Sequence, residues 1–572
     1  MKISSVNSAV TSYVQAKSNS VKNTKINNNV EFKTNPLMYD TVSFKGRNEL
    51  LLTAQDGLEA AKKLKSSTSG YRAPLNTTFN DKFVRSLTQG VIQYSKEQGQ
   101  KVFMVGGDTR EATKKYAPKI SEMLINNGFD VMVPKIKGSN IFEKTSPVAT
   151  PVLAFLTKSE KVPLSILLTA SHNPWQDGGY NFLTSEGAVA SDKVTDPISE
   201  KLVKVTKEGK ELDLPEKRGK LTTFDPYTPY SKYLEDKKIV DFNLIKNANI
   251  EIFYDSLEGT GGYYFPKLLE DRGIKLAKTL NSKVEGPNPT EKNLKNLSAL
   301  VSKSTNPLKI GLANDGDSDR FGVIDENGEF ISPNDVIFLT AYHLIKNKGM
   351  DKGTIIRNQA TSERIDKLAK YFNETEGKDI QVEQTPVGFK FLGDKMISLE
   401  NSDHPVIVAG EESGGLTVRN HIPEKDGFVA LSMMLELMAS ENKPLGQILK
   451  EAKELTGSDY ASQCLNMKFA KMDQQNLTVN SFKKYTNGEE QSIAGLDIDL
   501  EKTLESDKKL REYKPTGDGN KIYLKNGSSV LVRKSGTEPI VRLYIDAIDQ
   551  QTFNTLKTFL VTKAKDFGGS EK

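Results

Sequence analysis

The stretch Leu164-Ser-Ile-Leu-Leu-Thr-Ala-Ser-His-Asn-Pro174 joins an apolar run to a polar turn. A short apolar run of this kind is typical of a buried strand, and it is far too short to cross a bilayer. Asn173 and Pro174 are residue types favoured at the start of a helix, so the sequence predicts that a helix follows Ser171. Ser171 would then lie near the free N–H groups of a helix N-terminus, a setting that stabilises an anion such as phosphate.

The adjacent pair Ser171 and His172 also suggests the nucleophile and base of a serine hydrolase. Neighbouring side chains of an extended chain point in different directions, so His172 is expected to be poorly placed as the base for Ser171. The chain has four histidines, which leaves few candidates for a triad elsewhere. A capped turn without function is the other interpretation of this motif.

Further strand-like segments alternate with helix-like ones on both sides of this stretch. They are Lys101–Val105, Asp130–Val133, Asn249–Tyr254, Lys309–Ala313, Thr354–Arg357, Pro405–Ala409 and Val530–Arg533. Such alternation predicts βαβ units and α/β domains. Val541–Ile545 follows the last of these segments closely, so the end of the chain is predicted to be a small α+β unit with antiparallel pairing.

Composition excludes several classes of protein. The chain has 572 residues, 27% of them charged, which is ordinary for a soluble protein of several domains. Its one cysteine, Cys464, rules out an intrachain disulfide and suits a cytoplasmic location. Most of the net charge of +5 lies in residues 1–45, so the remainder is nearly neutral, which argues against nucleic-acid binding. The tail has few large apolar residues and is expected to be disordered.

A second motif, Asn314-Asp-Gly-Asp-Ser-Asp-Arg320, lies between two strand-like segments. In an extended loop its alternate carboxylates, Asp315, Asp317 and Asp319, project to one side. Three like charges so close repel one another unless a cation lies among them, and all-oxygen ligation suits Mg²⁺. An EF-hand calcium loop is rejected because its sixth position requires glycine and because strands flank the motif. A polar turn without a metal is the remaining alternative.

Two further loops carry groups that suit sugars and phosphates. Gly410-Glu-Glu-Ser-Gly-Gly415 follows a predicted strand, and Glu411 and Ser413 can hold sugar hydroxyls by hydrogen bonds. Arg533-Lys-Ser-Gly-Thr-Glu-Pro539 gathers two cations, two hydroxyls and a flexible backbone, which suits a phosphate. Taken alone, each of these motifs is also compatible with a loop that only connects two elements.

These four motifs, in this order, resemble those of the α-D-phosphohexomutase superfamily, the phosphoglucomutase and phosphomannomutase enzymes. The similarity covers about residues 60–572. The resemblance implies an α/β protein of three similar α/β domains plus a smaller C-terminal α+β domain around a central cleft. After the tail, we place the domains with the phosphoserine, metal, sugar-binding and phosphate-binding loops at residues 46–245, 246–345, 346–460 and 461–572.

The resemblance also assigns roles by position. Arg72, in Thr68-Ser-Gly-Tyr-Arg72, resembles a residue that reaches the active site, and three residues are placed in catalysis: Ser171, Arg72 and His172. The implied magnesium ligands are the phosphate on Ser171, Asp315, Asp317 and Asp319. The implied substrate-binding residues are Arg320, Glu411, Ser413, His421 and Lys425 of the stretch His421–Gly427, Arg533, Ser535, Gly536 and Thr537.

The sequence departs from the family's pattern at three positions. Asn181 stands where a lysine is frequent, ten residues after the serine, which leaves the proton carrier open. Pro386 stands where some relatives carry lysine. Ser318 stands where glycine or alanine is common, and it should be tolerated because only the aspartates ligate.

The implied activity is that of a magnesium-dependent isomerase that moves a phosphoryl group between carbons 1 and 6 of a hexose phosphate through a hexose 1,6-bisphosphate. Glucose is the expected substrate and mannose a weaker one, while Glu412 stands where relatives acting on glucosamine phosphate usually carry glutamine. We expect small-molecule partners, no nucleic acid, no membrane, and a monomer or homodimer. A sugar-phosphate phosphatase and a non-catalytic sugar-phosphate-binding relative are the alternatives.

Overall fold

A computed structural model describes residues 51–66, 70–135, 146–210, 212–535 and 539–571. The predicted tail at residues 1–45 lies outside the described residues, as do Thr68, Gly536 and Thr537. Within the described ranges, no helix combines the length and the apolar character needed to cross a membrane. Each strand-like segment identified in the sequence contains part of a strand.

The first sheet is mixed and has six strands. They are β1 (Tyr71–Pro74), β2 (Val102–Gly107), β3 (Asp130–Pro134), β4 (Leu164–Leu168), β5 (Asp177–Thr184) and β6 (Leu221–Phe224). They pair in the order β1-β5-β4-β2-β3-β6, and β5 runs antiparallel to both of its neighbours while the other pairs are parallel. The accompanying helices are α1 (Ala54–Ser66), α2 (Asp81–Glu97), α3 (Glu111–Asn126), α4 (Thr150–Ser159), α5 (Asp192–Glu208), α6 (Tyr227–Asp236) and α7 (Phe242–Asn247).

The second sheet repeats this plan with five strands. They are β7 (Glu251–Asp255), β8 (Leu276–Leu280), β9 (Lys309–Asn314), β10 (Phe321–Ile324) and β11 (Phe330–Ile331). Their order is β11-β10-β9-β7-β8, with β9, β7 and β8 parallel and β10 antiparallel to its neighbours. Its helices are α8 (Gly261–Glu270) and α9 (Lys295–Lys303).

The third sheet has four strands, of which the last is antiparallel. They are β12 (Lys352–Asn358), β13 (Asp379–Thr385), β14 (Val406–Glu411) and β15 (Gly415–Val418), in the order β13-β12-β14-β15. The helices around it are α10 (Pro333–Lys346), α11 (Arg364–Glu376), α12 (Phe389–Leu399), α13 (Gly427–Glu441) and α14 (Leu445–Thr456). Helix α13 is buried along most of its length, as expected for a helix that is apolar on every face, and Asp426 caps its N-terminus.

The fourth sheet is entirely antiparallel, which confirms the predicted α+β unit at the chain end. Its strands are β16 (Ala461–Lys468), β19 (Asn520–Tyr523), β20 (Ser529–Lys534), β21 (Ile540–Ala547) and β22 (Ser570–Glu571), in the order β19-β20-β21-β16-β22. A separate hairpin pairs β17 (Ser492–Ile493) with β18 (Leu496–Asp497). The helices are α15 (Met472–Ser481), α16 (Lys483–Thr486), α17 (Leu500–Tyr513) and α18 (Gln550–Asp566).

Each of the four predicted loops connects two strands that are neighbours in the same sheet. The serine loop joins β4 to β5, the aspartate loop joins β9 to β10, the Glu411 loop joins β14 to β15, and the Arg533 loop joins β20 to β21. Each of these strand pairs is antiparallel. Each loop is therefore the turn of a hairpin, which the sequence did not predict for the first three.

The four sheets follow one another along the chain without exchanging strands. The predicted domain boundaries after residues 245 and 345 fall inside α7 and α10. A boundary inside a continuous helix is unfavourable, since boundaries usually lie in exposed linkers. We propose that each of the four domains contains the loop predicted for it. The first two boundaries would lie in the loops beside these two helices, and the third near residue 460, as predicted.

Candidate active site

Ser171 lies in the turn between β4 and β5, and its side chain is buried. Its Oγ donates a hydrogen bond to Oδ2 of Asp315 at 2.9 Å. The φ angle of Ser171 is 52°, a left-handed conformation that residues other than glycine adopt rarely. The serine loop and the aspartate loop thus meet directly, although 144 positions separate Ser171 from Asp315.

The prediction of a helix after Ser171 is wrong. Strand β5 begins at Asp177 and returns antiparallel to β4, so no helix N-terminus is formed here. The amide of Asn173 donates to Oδ2 of Asp177 at 2.9 Å instead of capping a helix. Asparagine and proline favour tight turns as much as helix starts, and the local sequence does not distinguish the two.

His172 also lies differently from the prediction. Its Nδ1 is 3.2 Å from Oγ of Ser171, because the left-handed turn brings the two neighbouring side chains to the same side. Burial lowers the pKa of His172 well below its usual value, and the nearby cations Arg320 and Arg72 lower it further. The ring is therefore neutral near pH 7.

The three aspartates form a compact buried group, as the alternate spacing predicted. One carboxylate oxygen from each of Asp315, Asp317 and Asp319 lies within 4.8 Å of the others. Burial, followed by the charge of Asp319, raises the pKa of Asp315 to about 6. Burial and the other two carboxylates also raise the pKa of Asp317 well above its usual value. The ionised forms of these crowded, buried carboxylates therefore repel one another.

This group fits a divalent cation. Oδ1 of Asp317 and Oδ1 of Asp319 are buried and accept no hydrogen bond from the described residues. The other oxygen of Asp317 accepts a hydrogen bond from the hydroxyl of Thr150 at 2.8 Å, which fixes the orientation of that carboxylate. A hard cation such as Mg²⁺ would bind buried carboxylate oxygens that accept no hydrogen bond. Asp315, Asp317 and Asp319 can therefore hold a metal ion.

Glycine and left-handed serine allow the two loops to approach each other. A Cβ atom at Gly316 would lie 2.9 Å from the carbonyl oxygen of Ser171, so a larger residue would push the loops apart. Ser318 has a φ of 61°, which explains why glycine would suit that position. Its hydroxyl lies 2.8 Å from that of Thr260, and this contact ties the aspartate loop to the start of α8.

Cationic side chains surround the aspartates. Nζ of Lys425 lies 2.9 Å from Oδ2 of Asp319, and the carboxylates of Asp319 and Glu424 raise the lysine's pKa against the effect of burial. Arg320 donates its backbone N–H to Asp315 and a guanidinium N–H to the carbonyl of Ser413 at 3.3 Å. Arg320 therefore joins the aspartate loop to the Glu411 loop.

Arg72 lies in β1, directly beside β5 in the first sheet. Burial lowers the pKa of Arg72, while the nearby carboxylate of Asp317 counteracts that effect. This predicted active-site arginine is therefore close enough to Asp317 for the carboxylate's charge to act on it. Asn181, by contrast, donates its amide to the carbonyl oxygen of Thr169 at 2.8 Å inside the sheet.

In the Glu411 loop, the hydroxyl of Ser413 donates to Oε1 of Glu411 at 2.7 Å. The neighbouring Glu412 accepts a hydrogen bond from the amide of Asn358 at 2.8 Å. Burial and then the charge of Glu411 raise the pKa of Glu412 to about 7. The two adjacent carboxylates therefore have different surroundings. Glu411 lies beside the hydroxyl of Ser413, whereas Glu412 is held by the amide of Asn358.

His421 does not contact the aspartates or the Glu411 loop through its ring nitrogens. Its Nε2 lies 2.7 Å from Oδ2 of Asp426 and its Nδ1 lies 3.3 Å from the hydroxyl of Tyr233. The ring is buried and stacks on Tyr233, so both nitrogens are engaged between α6 and the cap of α13. Of the two residues predicted from the stretch 421–427, only Lys425 joins the aspartates.

The Arg533 loop is described up to Ser535, and Gly536 and Thr537 lie outside the described residues. Nε of Arg533 donates to Oδ2 of Asp518 at 3.1 Å. Arg533 is near enough to Glu412 for its charge to oppose the rise in that carboxyl's pKa. The backbone carbonyl of Ser535 accepts the amide of Gln475 at 3.0 Å, which anchors the loop to α15.

Sequence reasoning missed several residues that shape this site. Thr150, Asp518 and Asn358 contact Asp317, Arg533 and Glu412, respectively. Thr150 and Asn358 lie far along the chain from the residues they contact, and Asp518 lies outside the motif that contains Arg533. No local pattern in the sequence marked them.

Comparison with known proteins agrees with this arrangement. Residues 63–209, 228–328 and 332–455 match alpha/beta/alpha domains I, II and III of phosphoglucomutase/phosphomannomutase, and residues 497–563 match its C-terminal domain. Together these matches cover most of the chain.

Individual relatives align over nearly their whole length. A phosphoglucosamine mutase of Marinomonas sp. (strain MWYL1) is 23% identical over 86% of this chain and 96% of its own. A phosphoglucomutase/phosphomannomutase of Thermococcus kodakarensis is 26% identical over 85% of this chain and 94% of its own. The open form of parafusin, a phosphoglucomutase from Paramecium, has a similar fold, with a TM-score of 0.67 at 22% identity over 88% of this chain and 94% of its own. The chain therefore belongs to the phosphoglucomutase/phosphomannomutase family.

Proposed function

We propose that this protein interconverts hexose 1-phosphates and hexose 6-phosphates, with Ser171 as the phosphoryl carrier. The observation that carries the proposal is the 2.9 Å contact between Oγ of Ser171 and Oδ2 of Asp315. It joins a buried nucleophile to a group of carboxylates that can hold a metal, and cations surround both. Charge neutralisation and positioning of this kind supply most of the catalysis in phosphoryl transfer.

The reaction has two balanced half-reactions. In the first, the bond between phosphorus and Oγ of Ser171 breaks and a bond forms to the free hydroxyl oxygen of a bound hexose monophosphate. That hydroxyl loses its proton to a base, and Oγ takes up a proton to become the serine hydroxyl. The product is a hexose 1,6-bisphosphate. After this intermediate reorients, its other phosphoryl group is transferred to Oγ of Ser171. The Ser171 hydroxyl loses its proton in this step, and the sugar oxygen that the phosphoryl group leaves takes up a proton.

The chain's own residues divide this work. We assign His172 to the proton that Oγ of Ser171 takes up and loses, because its Nδ1 lies beside that atom, and Arg72 to the charge on the transferring group. Asp315, Asp317 and Asp319 would hold Mg²⁺ together with the phosphate on Ser171. When bound, Mg²⁺ would neutralise charge on that phosphate.

Substrate binding involves the remaining loops. Glu411 and Ser413 offer acceptor-rich groups for neighbouring sugar hydroxyls, and Arg320 and Lys425 lie between them and the aspartates. The non-reacting phosphate would bind at the loop with Arg533, Ser535, Gly536 and Thr537. Since either phosphate must occupy this loop in turn, cationic recognition through long side chains suits it.

We propose glucose phosphates as preferred substrates and mannose phosphates as weaker ones. The support is the pair Glu411 and Ser413, together with Glu412 in place of the glutamine usual in enzymes for glucosamine phosphate. The relatives carry all of these substrate names. Glucose and mannose differ at one hydroxyl, and a single hydrogen bond contributes about 0.5–1.5 kcal/mol, so the preference should be roughly tenfold at most.

The activity is tested by a coupled assay with glucose 1-phosphate, with and without glucose 1,6-bisphosphate, while released phosphate is measured in parallel. A mutase forms glucose 6-phosphate and is stimulated by the bisphosphate. Steady release of phosphate without isomerisation would identify a phosphatase, and the absence of both would identify a non-catalytic relative.

The substrate is tested by comparing kcat/KM for the 1-phosphates of glucose, mannose and glucosamine at the same bisphosphate concentration. Glucose 1-phosphate should give the highest value. If glucosamine 1-phosphate did so, the substrate assignment would fall while the mutase class would remain.

A further inference from the structure

The backbone of Ser171 is strained and must be held in place by its surroundings. Its φ of 52° is in the left-handed region, and Ser171 has a Cβ that disfavours this conformation. The side chain nevertheless reaches Asp315 at 2.9 Å from this conformation. Rotation of the backbone to an ordinary conformation would move Oγ away from the aspartates.

A closed ring of hydrogen bonds holds both backbone groups of Ser171. Its N–H donates to Oγ1 of Thr169 at 2.8 Å, and that hydroxyl donates to Oδ2 of Asp108 at 2.7 Å. The same Oδ2 accepts Nε of Arg110 at 2.9 Å. Nη2 of Arg110 donates to the carbonyl oxygen of Ser171, which closes the ring. We call these residues, Asp108, Arg110, Thr169 and Ser171, the serine ring.

The guanidinium of Arg110 uses all five of its N–H groups in this structure. Besides the bond to Asp108, it makes four bonds to backbone carbonyls, those of Ser171, Asn173, Pro174 and Asp177. An arginine has five N–H donors, so none is left for a phosphate. The buried Arg110 therefore shapes the serine loop and does not bind the substrate.

Asp108 is held by several hydrogen bonds, as Arg110 is. Its Oδ1 accepts the backbone N–H of Arg110 at 3.0 Å and the hydroxyl of Thr113 at 3.1 Å. Asp108, Arg110 and Thr169 are all buried, so water does not compete for these bonds. The ring is satisfied throughout and therefore rigid.

We propose that Asp108, Arg110 and Thr169 are positioning residues for phosphoryl transfer, which hold Ser171 in the left-handed conformation that aims Oγ at the metal-binding aspartates. This inference rests on the proposed function of Ser171. None of the three touches Oγ, so they act through the backbone. The hydroxyl of Thr169 is the link that both accepts and donates, and its loss opens the ring.

The test compares Thr169→Val, which keeps the shape but removes the hydroxyl, with Thr169→Ser, which keeps the hydroxyl. We expect Thr169→Val to lower kcat about tenfold or more, with KM within about twofold, because small displacements of a reacting atom cost large factors in rate. The rate at which glucose 1,6-bisphosphate phosphorylates Ser171, followed by mass spectrometry, should fall in parallel. Thr169→Ser should recover most of both rates.

A kcat for Thr169→Val equal to that of the natural protein, or equal losses in the Val and Ser variants, would overturn the proposal. A melting curve checks that the Val variant is folded, and if it is not, Asp108→Asn takes its place in the same assays. A crystal structure of the variant provides a readout independent of activity. Ser171 should leave its left-handed conformation, and a φ still near 52° would overturn the ring's role. If the natural protein lacks mutase activity, the proposed function fails, and this structural readout still tests the ring.

Discussion

Asp518 and Arg533 form a largely buried ion pair in which Oδ2 of Asp518 lies 3.1 Å from Nε of Arg533. The same oxygen accepts the backbone N–H of Val387 at 2.9 Å and the amide of Gln359 at 3.1 Å. Val387 and Gln359 lie in loops of the third sheet, so Asp518 connects that sheet to the arginine of the fourth. The position of Arg533 therefore depends on how the two sheets meet.

We predict that Asp518→Asn raises KM for glucose 1-phosphate about tenfold and changes kcat little. The substitution removes the charge that orients Arg533, and a hydrogen bond to a charged group contributes about 1.5–3 kcal/mol. Steady-state kinetics measure the effect. Lys514 is the matched control, because it binds the other oxygen of Asp518 at 2.7 Å but is 40% exposed. Lys514→Gln should change KM less than about twofold, and an unchanged KM in Asp518→Asn would contradict the prediction.

We predict that Ser171→Ala has no measurable mutase activity and keeps its melting temperature within a few degrees, as expected when only a hydroxyl is removed. Without Oγ there is no atom to carry the phosphoryl group. The coupled assay measures activity, and mass spectrometry measures incorporation of phosphate from glucose 1,6-bisphosphate. Ser185→Ala, at the opposite end of β5, is the control and should retain activity. Turnover in Ser171→Ala near that of the natural protein would remove the carrier assignment.

We predict that EDTA abolishes activity and that added Mg²⁺ restores it, and that Asp317→Asn weakens Mg²⁺ binding about tenfold or more. The same substitution should raise the melting temperature of the metal-free protein, because it relieves repulsion among three buried carboxylates. Titration calorimetry and thermal unfolding give the two readouts.

The exposed Asp403→Asn is the control for this experiment and should change neither property. Full activity of thoroughly metal-free protein would rule out the metal role. A lower melting temperature for metal-free Asp317→Asn would contradict the repulsion argument.

We predict that Glu412 makes the protein less stable as the pH rises from about 4.5 to about 7. Its folded-state pKa is raised to about 7 from 4.5, so in this range the folded state binds a proton that the unfolded state has lost. Below pH 4.5 both states are protonated, and above pH 7 the cost is constant. Glu412→Gln removes the cost, so its stability relative to the natural protein should rise by about 2–3 kcal/mol between pH 5 and pH 8.

Unfolding curves at the two pH values, compared with the exposed control Glu186→Gln, measure this difference. The control should differ from the natural protein by the same amount at both pH values. A Glu412→Gln difference that is also independent of pH would show that the glutamate titrates normally.

Local sequence predicted the strands and the aspartate group well, for physical reasons. Runs such as Pro405–Ala409 are apolar enough to identify buried strands, and alternate aspartates in one loop must face a common point. The turn after Ser171 was mispredicted because Asn-Pro suits a turn and a helix start alike. Its conformation depends on Arg110, 61 positions away, whose role no local pattern reveals.

The same limit explains His421. Lys425 and His421 belong to one short stretch, but Tyr233, 188 positions away, engages the histidine ring between two helices. Whether a polar side chain faces a ligand or a neighbouring helix is decided by tertiary packing, which the sequence shows only through resemblance.

The position of the four loops in hairpin turns affects which changes of sequence the fold can tolerate. Both ends of each loop are fixed by two adjacent strands in register, so a change in loop length can be absorbed within the loop without shifting the other strands of its sheet. Only the residues through which one loop contacts another, such as Ser171 and Asp315, are then constrained by more than one sheet.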